Sequence, residues 1–472
     1  MMKGWNDSEA ITRRQMLSSS AGGFGQLVLA AMVGGQSLRG EPRSPGRNPV
    51  RPHLPGKAKR LIFLFMWGGP SHVDLFDPKP LLNRMAGKTL MGKDVGVDRG
   101  DMGNLLGSPF QFSQHGDSGI WMTEHLPHLA KQADKLCVVR SVHTEGQAHG
   151  EALLRLHTGQ ANLVRPSVGA WVSYGLGRSN ENLPAFVTVS PPRGHGGVQN
   201  YGSAFLPSIH QGMAIGSAEI PIEKARISHL TNASIGRTTQ RRQLDFIQSL
   251  NAAHLQQTKQ DQGIEGLIEN YELAFRMQTT LPAMLGLEDE RQATLDHYGV
   301  GSEPTDNFAR QCLLARKLAE SGVRYIQVST DYTWDHHQKV EEGTIRECAK
   351  VDQPIAALLE DLDQRGLLEE TLVLWGGEFG RTPTAENEHG RNHHPQGFTV
   401  WMAGGGVRPG LTYGRSDAFG YQPVENPVHM HDLHATLLHA LGIDHERLTY
   451  RHAGRDFRLT DVSGRVVHEW FA

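Results

Sequence analysis

The sequence predicts an α/β fold: a mostly parallel central sheet with helices on both faces. Three observations carry that prediction. Short, near-continuous apolar runs recur along the chain and end in Gly, Ser or Asp; amphipathic stretches of helical period lie between several of them; and polar clusters follow the runs instead of interrupting them. Strands that are apolar on both faces are covered on both faces, the condition of a parallel sheet wrapped by helices. In such sheets ligands bind beyond the carboxyl ends of the strands, so the polar clusters mark the expected site.

In chain order, Thr12-Arg13-Arg14-Gln15-Met16-Leu17 precedes a weakly apolar run, GGFGQLVLAAMVGG. A twin arginine before a modest apolar stretch marks export by the Tat route. Residues 1–40 therefore read as a Tat signal segment, with the Tat machinery as a partner and a periplasmic or extracellular destination. That run is too short to span a bilayer and no later segment is long enough. Residues 41–58, EPRSPGRNPVRPHLPGKA, read as a linker.

Residues 59–472 read as one domain. Its expected strands are RLIFLFMW (60–67), KLCVVR (135–140), AFVTVS (185–190), VRYIQVST (323–330), TLVLW (371–375) and FTVWMA (398–403). The stretches NFARQCLLARKLAESG (307–322) and DQPIAALLEDLDQRG (352–366) place apolar residues at i, i+3 and i+4 and end at Gly, so both read as helices. Residues 238–280 read as one or two long helices with a polar middle, part of a helical insertion over about 238–300 at the sheet's edge.

A net charge of −3 over 472 residues excludes a nucleic-acid partner held by bulk electrostatics. Three widely spaced cysteines with no CxxC exclude a disulfide scaffold, and Cys137, inside an apolar run, reads as a buried thiol. The 25 histidines direct attention to metal chemistry, since neutral imidazole is the commonest metal ligand.

Three expected strands end in polar clusters. Ser71, His72, Asp74 and Asp77 follow the first; Asp331, Asp335, His336 and His337 follow VRYIQVST; Glu378 and Arg381 follow TLVLW, with His389, His393 and His394 beyond. Taken singly, each histidine reads as a hydrogen-bonded core or loop residue, Asp77-Pro78 as a turn, and Glu378–Arg381 as an ion pair. Taken together at the ends of three parallel strands, they point to a site. Mixed oxygen and nitrogen donors suit zinc or manganese first, with calcium or iron as alternatives. A fourth element, SVHTEGQAHGEALLRLHTG (141–159), opens a helical run at His149, where the positive end of a helix dipole favours an anion.

These elements, in this order, resemble the alkaline phosphatase/sulfatase superfamily, and more closely its Tat-exported, sulfatase-like branch of unknown function. The segments that carry the resemblance are GGPSHVDLFDPKP, AHGEALLRLHTG, WDHH, LVLWGGEFGRTP, GRNHHP, WMAGGGVRPG and DLHATLLHALGI with GRDFRLTDVSG, spanning about residues 60–465. The resemblance implies an alkaline-phosphatase-like fold and a divalent-metal site acting on an anionic ester, with a sulfated or phosphorylated glycan among the expected substrates. At the nucleophile's position stands His149, not Ser, Thr or Cys, so the resemblance implies a metal-dependent ester hydrolase lacking the usual nucleophile. The alternative is a non-catalytic descendant that binds an anionic glycan or envelope component. Carried over by position, the expected metal ligands are Asp74 (with His72 as rival), Asp335, His337, Glu378 and His393. His149 is expected as acid/base or extra ligand, and Arg381 and Arg391 as clamps on the transferring group. Phe379 stands where the superfamily has His or Asn, and Asn392 where the close branch has Asp. His431, His434 and His439 fall in a helix that reads as structural.

Overall fold

The computed structural model describes residues 52–225, 234–258, 262–387 and 389–472. The Tat segment expected over residues 1–40 lies outside the described residues. Eleven strands and seven helices position the site. The strands are β1 (Arg60–Phe65), β2 (Leu136–His143), β3 (Phe186–Val189), β4 (Met213–Ile215), β5 (Tyr325–Ser329), β6 (Thr371–Gly376), β7 (Gly380–Glu386), β8 (Gly390–His394), β9 (Phe398–Ala403), β10 (Leu411–Tyr413) and β11 (Val428–His429). The helices are α1 (His149–Thr158), α2 (Val168–Leu176), α3 (Arg237–Thr258), α4 (Gln262–Leu285), α5 (Asp306–Glu320), α6 (Val340–Gln364) and α7 (Met430–Ala440).

Nine strands form one sheet in the order β10-β2-β9-β6-β1-β5-β3-β4, with β11 also paired to β2. Pairings β6–β1–β5–β3–β4 are parallel, β9 is antiparallel to both β6 and β2, and β10 and β11 run parallel to β2. Only β9 therefore runs against the rest, so β2, β1, β5 and β6 all end at the same rim. The expected α/β class with a mostly parallel sheet is what the chain adopts.

The alternation of side chains along β1 divides the core in two. Ile62 and Leu64 join a cluster with Phe308, Leu313 and Leu358 of α5 and α6. Leu61, Phe63 and Phe65 join another with Leu153, Trp171 and Leu433 of α1, α2 and α7. Both faces of the sheet are thus covered, which is why its strands read as continuous apolar runs.

Several boundaries differ from the sequence expectation. Helix α6 begins at Val340, a dozen residues before the expected start, and carries Pro354 within it. Asp352-Gln353-Pro354 resembles a helix start, but Val340, Thr344, Cys348, Val351 and Ile355 continue the same buried stripe, and packing carries the helix through. The end of the expected linker is part of the body: Leu54 N–H donates to the Gly442 carbonyl at 3.0 Å, Ala58 N–H donates to that of Ala440 at 3.1 Å, and Ala58 is buried. In the expected insertion, α4 buries Leu273, Met277, Leu281 and Met284 against the face cluster of α5 and α6 rather than lying wholly at the edge. Cys137, Cys312 and Cys348 are free and buried. Among the described residues no helix is long and apolar enough to cross a membrane.

Candidate metal centre

Beyond the shared rim, three segments bring four ligand-type side chains together. The loop after β5 carries Asp335 and His337, the first turn of α1 carries His149, and β8 carries His393. One ligand-type atom from each of these four lies within 4.8 Å of every other. The common point is Asp335 Oδ1, with Nε2 of His149 at 3.2 Å, of His337 at 3.0 Å and of His393 at 3.2 Å. The Nε2 atoms of His337 and His393 are 2.9 Å apart.

The opposite nitrogen of each ring fixes its tautomer. His149 Nδ1–H donates to Glu378 Oε1 at 2.6 Å, His337 Nδ1–H to Glu386 Oε2 at 2.5 Å, and His393 Nδ1–H to the Gln147 carbonyl at 2.6 Å. A carboxylate or a carbonyl only accepts, so in the neutral rings the Nε2 atoms are unprotonated lone pairs directed at one another and at a carboxylate oxygen. Four such donors at 3 Å repel unless a cation lies among them. His149 Nε2 makes the same point: it is buried and lacks the alignment for a hydrogen bond to any partner. Metal-bound histidines ordinarily have this arrangement, with the distal nitrogen held by an acceptor. The residues present fit a divalent ion.

The carboxylate at the centre is itself restrained. Tyr332 Oη–H donates to Asp335 Oδ2 at 2.7 Å, and the Arg381 guanidinium contacts Oδ1. Burial alone would raise the Asp335 pKa; the facing rings of His149 and His393 and the Arg381 charge instead hold it far below the usual carboxylate range. For His149, burial lowers the pKa, but the Asp335 and Glu378 carboxylates outweigh it and raise the ring above its ordinary value. Phe379 packs 4.8 Å from the His149 ring and 4.6 Å from that of His393, closing the apolar side.

Main-chain geometry after β1 makes room for the cluster. Gly68 has φ +122°, and a Cβ there would lie 2.6 Å from the Asp335 amide nitrogen. Only glycine allows that approach without strain. Its N–H donates to Glu378 Oε1 at 3.1 Å, so the same backbone orients the carboxylate behind His149.

Not all expected site residues meet here. Asp335, His337, His393 and His149 do. Glu378 is fully buried and stands one hydrogen bond behind His149, a support for a ligand instead of a ligand. Asp74 is elsewhere: its carboxylate pairs with Arg391 at 2.7 and 3.0 Å and accepts from Ser71 at 2.5 Å, with both charges buried. Each neutralises the other, which removes Asp74 as a ligand and Arg391 as a clamp. His72, the rival to Asp74, hydrogen-bonds the Gly420 carbonyl at 2.8 Å. Arg381 is 1% exposed and donates to the carbonyls of Gly68, Gly69 and Arg391 as well as to Asp335, so it orders the loops and has no face for a substrate. His394 bonds the Tyr421 carbonyl, and His431 and His434 bond the carbonyls of Gly159 and Leu156, each at 2.8 Å, tying α7 to the end of α1. Glu386, Tyr332 and the Gln147 carbonyl were not expected. Tyr332 lies next to Asp331 in the polar cluster that follows VRYIQVST, whereas Glu386 is brought in by hairpin pairing that no local pattern announces.

The profile of one family, described as "Protein of unknown function (DUF1501)", matches residues 58–471. No curated protein matches the chain. Solved structures similar to it include the phosphonate monoester hydrolase SpPMH from Silicibacter pomeroyi, at 10% identity over 87% of this chain and 76% of that one, TM-score 0.38. The lipoteichoic acid synthase LtaP from Listeria monocytogenes aligns at 8% identity over 92% of this chain and 80% of that one, TM-score 0.37. The PsFucS1 sulfatase from Pseudoalteromonas sp. aligns at 12% identity over 92% of this chain and 72% of that one, TM-score 0.34.

Proposed function

This chain belongs to the DUF1501 family, and from that premise we propose that it is a metal-dependent hydrolase of phosphate or sulfate esters, exported by the Tat route to the periplasm or beyond. The observation that carries the reading is the convergence of three imidazole Nε2 atoms on Asp335 Oδ1, each ring held from behind by an acceptor at Nδ1. Three nitrogens and one oxygen suit zinc, with iron and manganese as alternatives, and suit calcium poorly, since calcium takes six to eight oxygens. The substrate class, an anionic ester such as a sulfated or phosphorylated glycan, follows from the motif resemblance.

His149, His337, His393 and Asp335 would hold the ion, which when bound would polarise the ester and make water acidic enough to attack. Glu378 and the Gln147 carbonyl hold the rings of His149 and His393 in the ligating tautomer. Tyr332 fixes the second oxygen of Asp335, and Phe379 excludes water from the apolar side. With an ion bound, both nitrogens of His149, which occupies the nucleophile's position, would be engaged, and the attacking group would be water.

A second reading, a non-catalytic protein that binds an anionic glycan or envelope component, is favoured by one observation: the two arginines expected to clamp the anion are both engaged by protein partners. The two are separated by elemental analysis of the purified chain and a panel of p-nitrophenyl phosphate, phosphonate and sulfate esters, with and without chelator. A stoichiometric divalent ion and turnover that chelator abolishes support the hydrolase. Bound ion with no turnover supports the binder, and an ion-free, inert protein overturns the metal site.

A further inference from the structure

We infer that Glu386 is a positioning residue, whose carboxylate keeps Nε2 of His337 turned towards the ion; this rests on the metal reading above. Glu386 ends β7 opposite Gly390, and β8 then delivers His393 across from Arg381. One hairpin therefore supplies a ligand of its own and the acceptor for a ligand from another segment. The same hairpin grips the main chain around His337: Arg391 N–H donates to the His336 carbonyl at 2.9 Å, and Val340 N–H to that of His389 at 3.1 Å.

The four supports are not equivalent. His149 is backed by the buried Glu378, His393 by a main-chain carbonyl, and Asp335 by Tyr332. His337 is the most exposed of the group, with 33% of its side chain accessible against 5, 17 and 16% for His149, Asp335 and His393. An imidazole this open has water as an alternative partner for either nitrogen. A carboxylate at 2.5 Å from Nδ1 removes that freedom by taking the N–H and fixing the ring plane. Glu386 is itself 28% exposed, so its removal breaks no buried network.

The test compares the full chain with its E386A and E386Q variants, using Co(II) and Zn(II) as probes. Three readouts are taken: affinity by competition with a chromophoric chelator, the visible spectrum of the Co(II) form, and thermal unfolding of the metal-free proteins. E386A is expected to bind both ions about 10- to 100-fold more weakly and to change the cobalt spectrum. E386Q, whose amide oxygen accepts the same bond, is expected to recover part of the affinity. Metal-free Tm is expected to stay within about 2 °C of the parent, as for an exposed substitution. Parent-like affinity and spectrum in E386A overturn the inference, as does a metal-free Tm that falls enough to explain the weaker binding. A parent chain that takes up neither ion overturns the metal reading and this inference together, an outcome distinct from parent and variant binding alike.

Discussion

In an extended strand successive side chains leave by opposite faces, and His393 and His394 on β8 show what that does to two chemically identical groups. His393 turns towards Asp335 with its Nε2 exposed to the other ligand atoms. His394 turns inward to the Tyr421 carbonyl, where burial pushes its pKa down to about 3. H393A is expected to lose the tightly held ion with little change in metal-free stability. H394A is expected to keep the ion and lose about 1–3 kcal/mol of stability, the usual effect of leaving a buried carbonyl without its partner. Ion content and chemical unfolding of the two purified variants check this; equal ion content in both would remove His393 from the site. The sequence displays the kinds of side chain but not their directions. Asp335, His337, His393 and His149 were legible because their types and segments suit a metal. Asp74 and Arg391 looked equally suitable, and only the packing shows that each faces the other.

At the scale of elements, the Asp74–Arg391 pair is the bolt between the one-turn helix after β1 (His72–Leu75) and the β7–β8 hairpin. Its partners come from segments far apart in sequence, and both charges are fully buried. Burial raises the Asp74 pKa and the Arg391 charge and hydrogen bonds lower it further, so that the carboxylate stays ionised. D74A would strand a buried guanidinium, a defect that costs about 3–5 kcal/mol. The expected result is a large drop in unfolding free energy with ion stoichiometry retained where the protein still folds. D74N, which keeps a hydrogen-bond acceptor, is expected to fall between. Loss of the ion in D74N at parental stability would restore Asp74 as a ligand and contradict the structure. The strands were legible as elements because a doubly covered sheet leaves unbroken apolar runs; FTVWMA coincides with β9. The opposite direction of β9 was not, because a strand's apolar run is the same read either way. Hairpin β7–β8 escaped for a related reason: its residues are polar and chemically committed, and its pairing depends on where the rest of the fold holds its ends.

For the whole molecule, the abundance of histidine divides into a few groups at the rim and several that are structural, and the structural ones set a pH limit. His157 and His434 are buried and His210 is half-buried, and desolvation lowers their pKa values to about 4, 3 and 4. In the folded chain they stay neutral well below pH 6.5, the value they return to on unfolding. Between those values the unfolded state binds protons that the native state refuses, so stability falls as pH falls. Above about pH 7.5 neither state is appreciably protonated and the three contribute almost no slope. Between pH 7 and pH 5 each removes about 2 kcal/mol, together about 6, against a typical domain stability of about 5–15 kcal/mol. Chelated protein, in which ligand protonation cannot release an ion, is therefore expected to unfold between about pH 4 and 6. Replacing His434, whose ring joins α7 to α1, with Gln should flatten the slope by about one proton per molecule below pH 6 while leaving the rim cluster's affinity for Zn(II) at pH 8 unchanged. Urea unfolding of the chelated chain at half-unit steps from pH 7.5 to 5 gives that slope directly. A flat profile would mean that these rings are hydrated in the native state and that the α1–α7 junction is looser than its hydrogen bonds indicate.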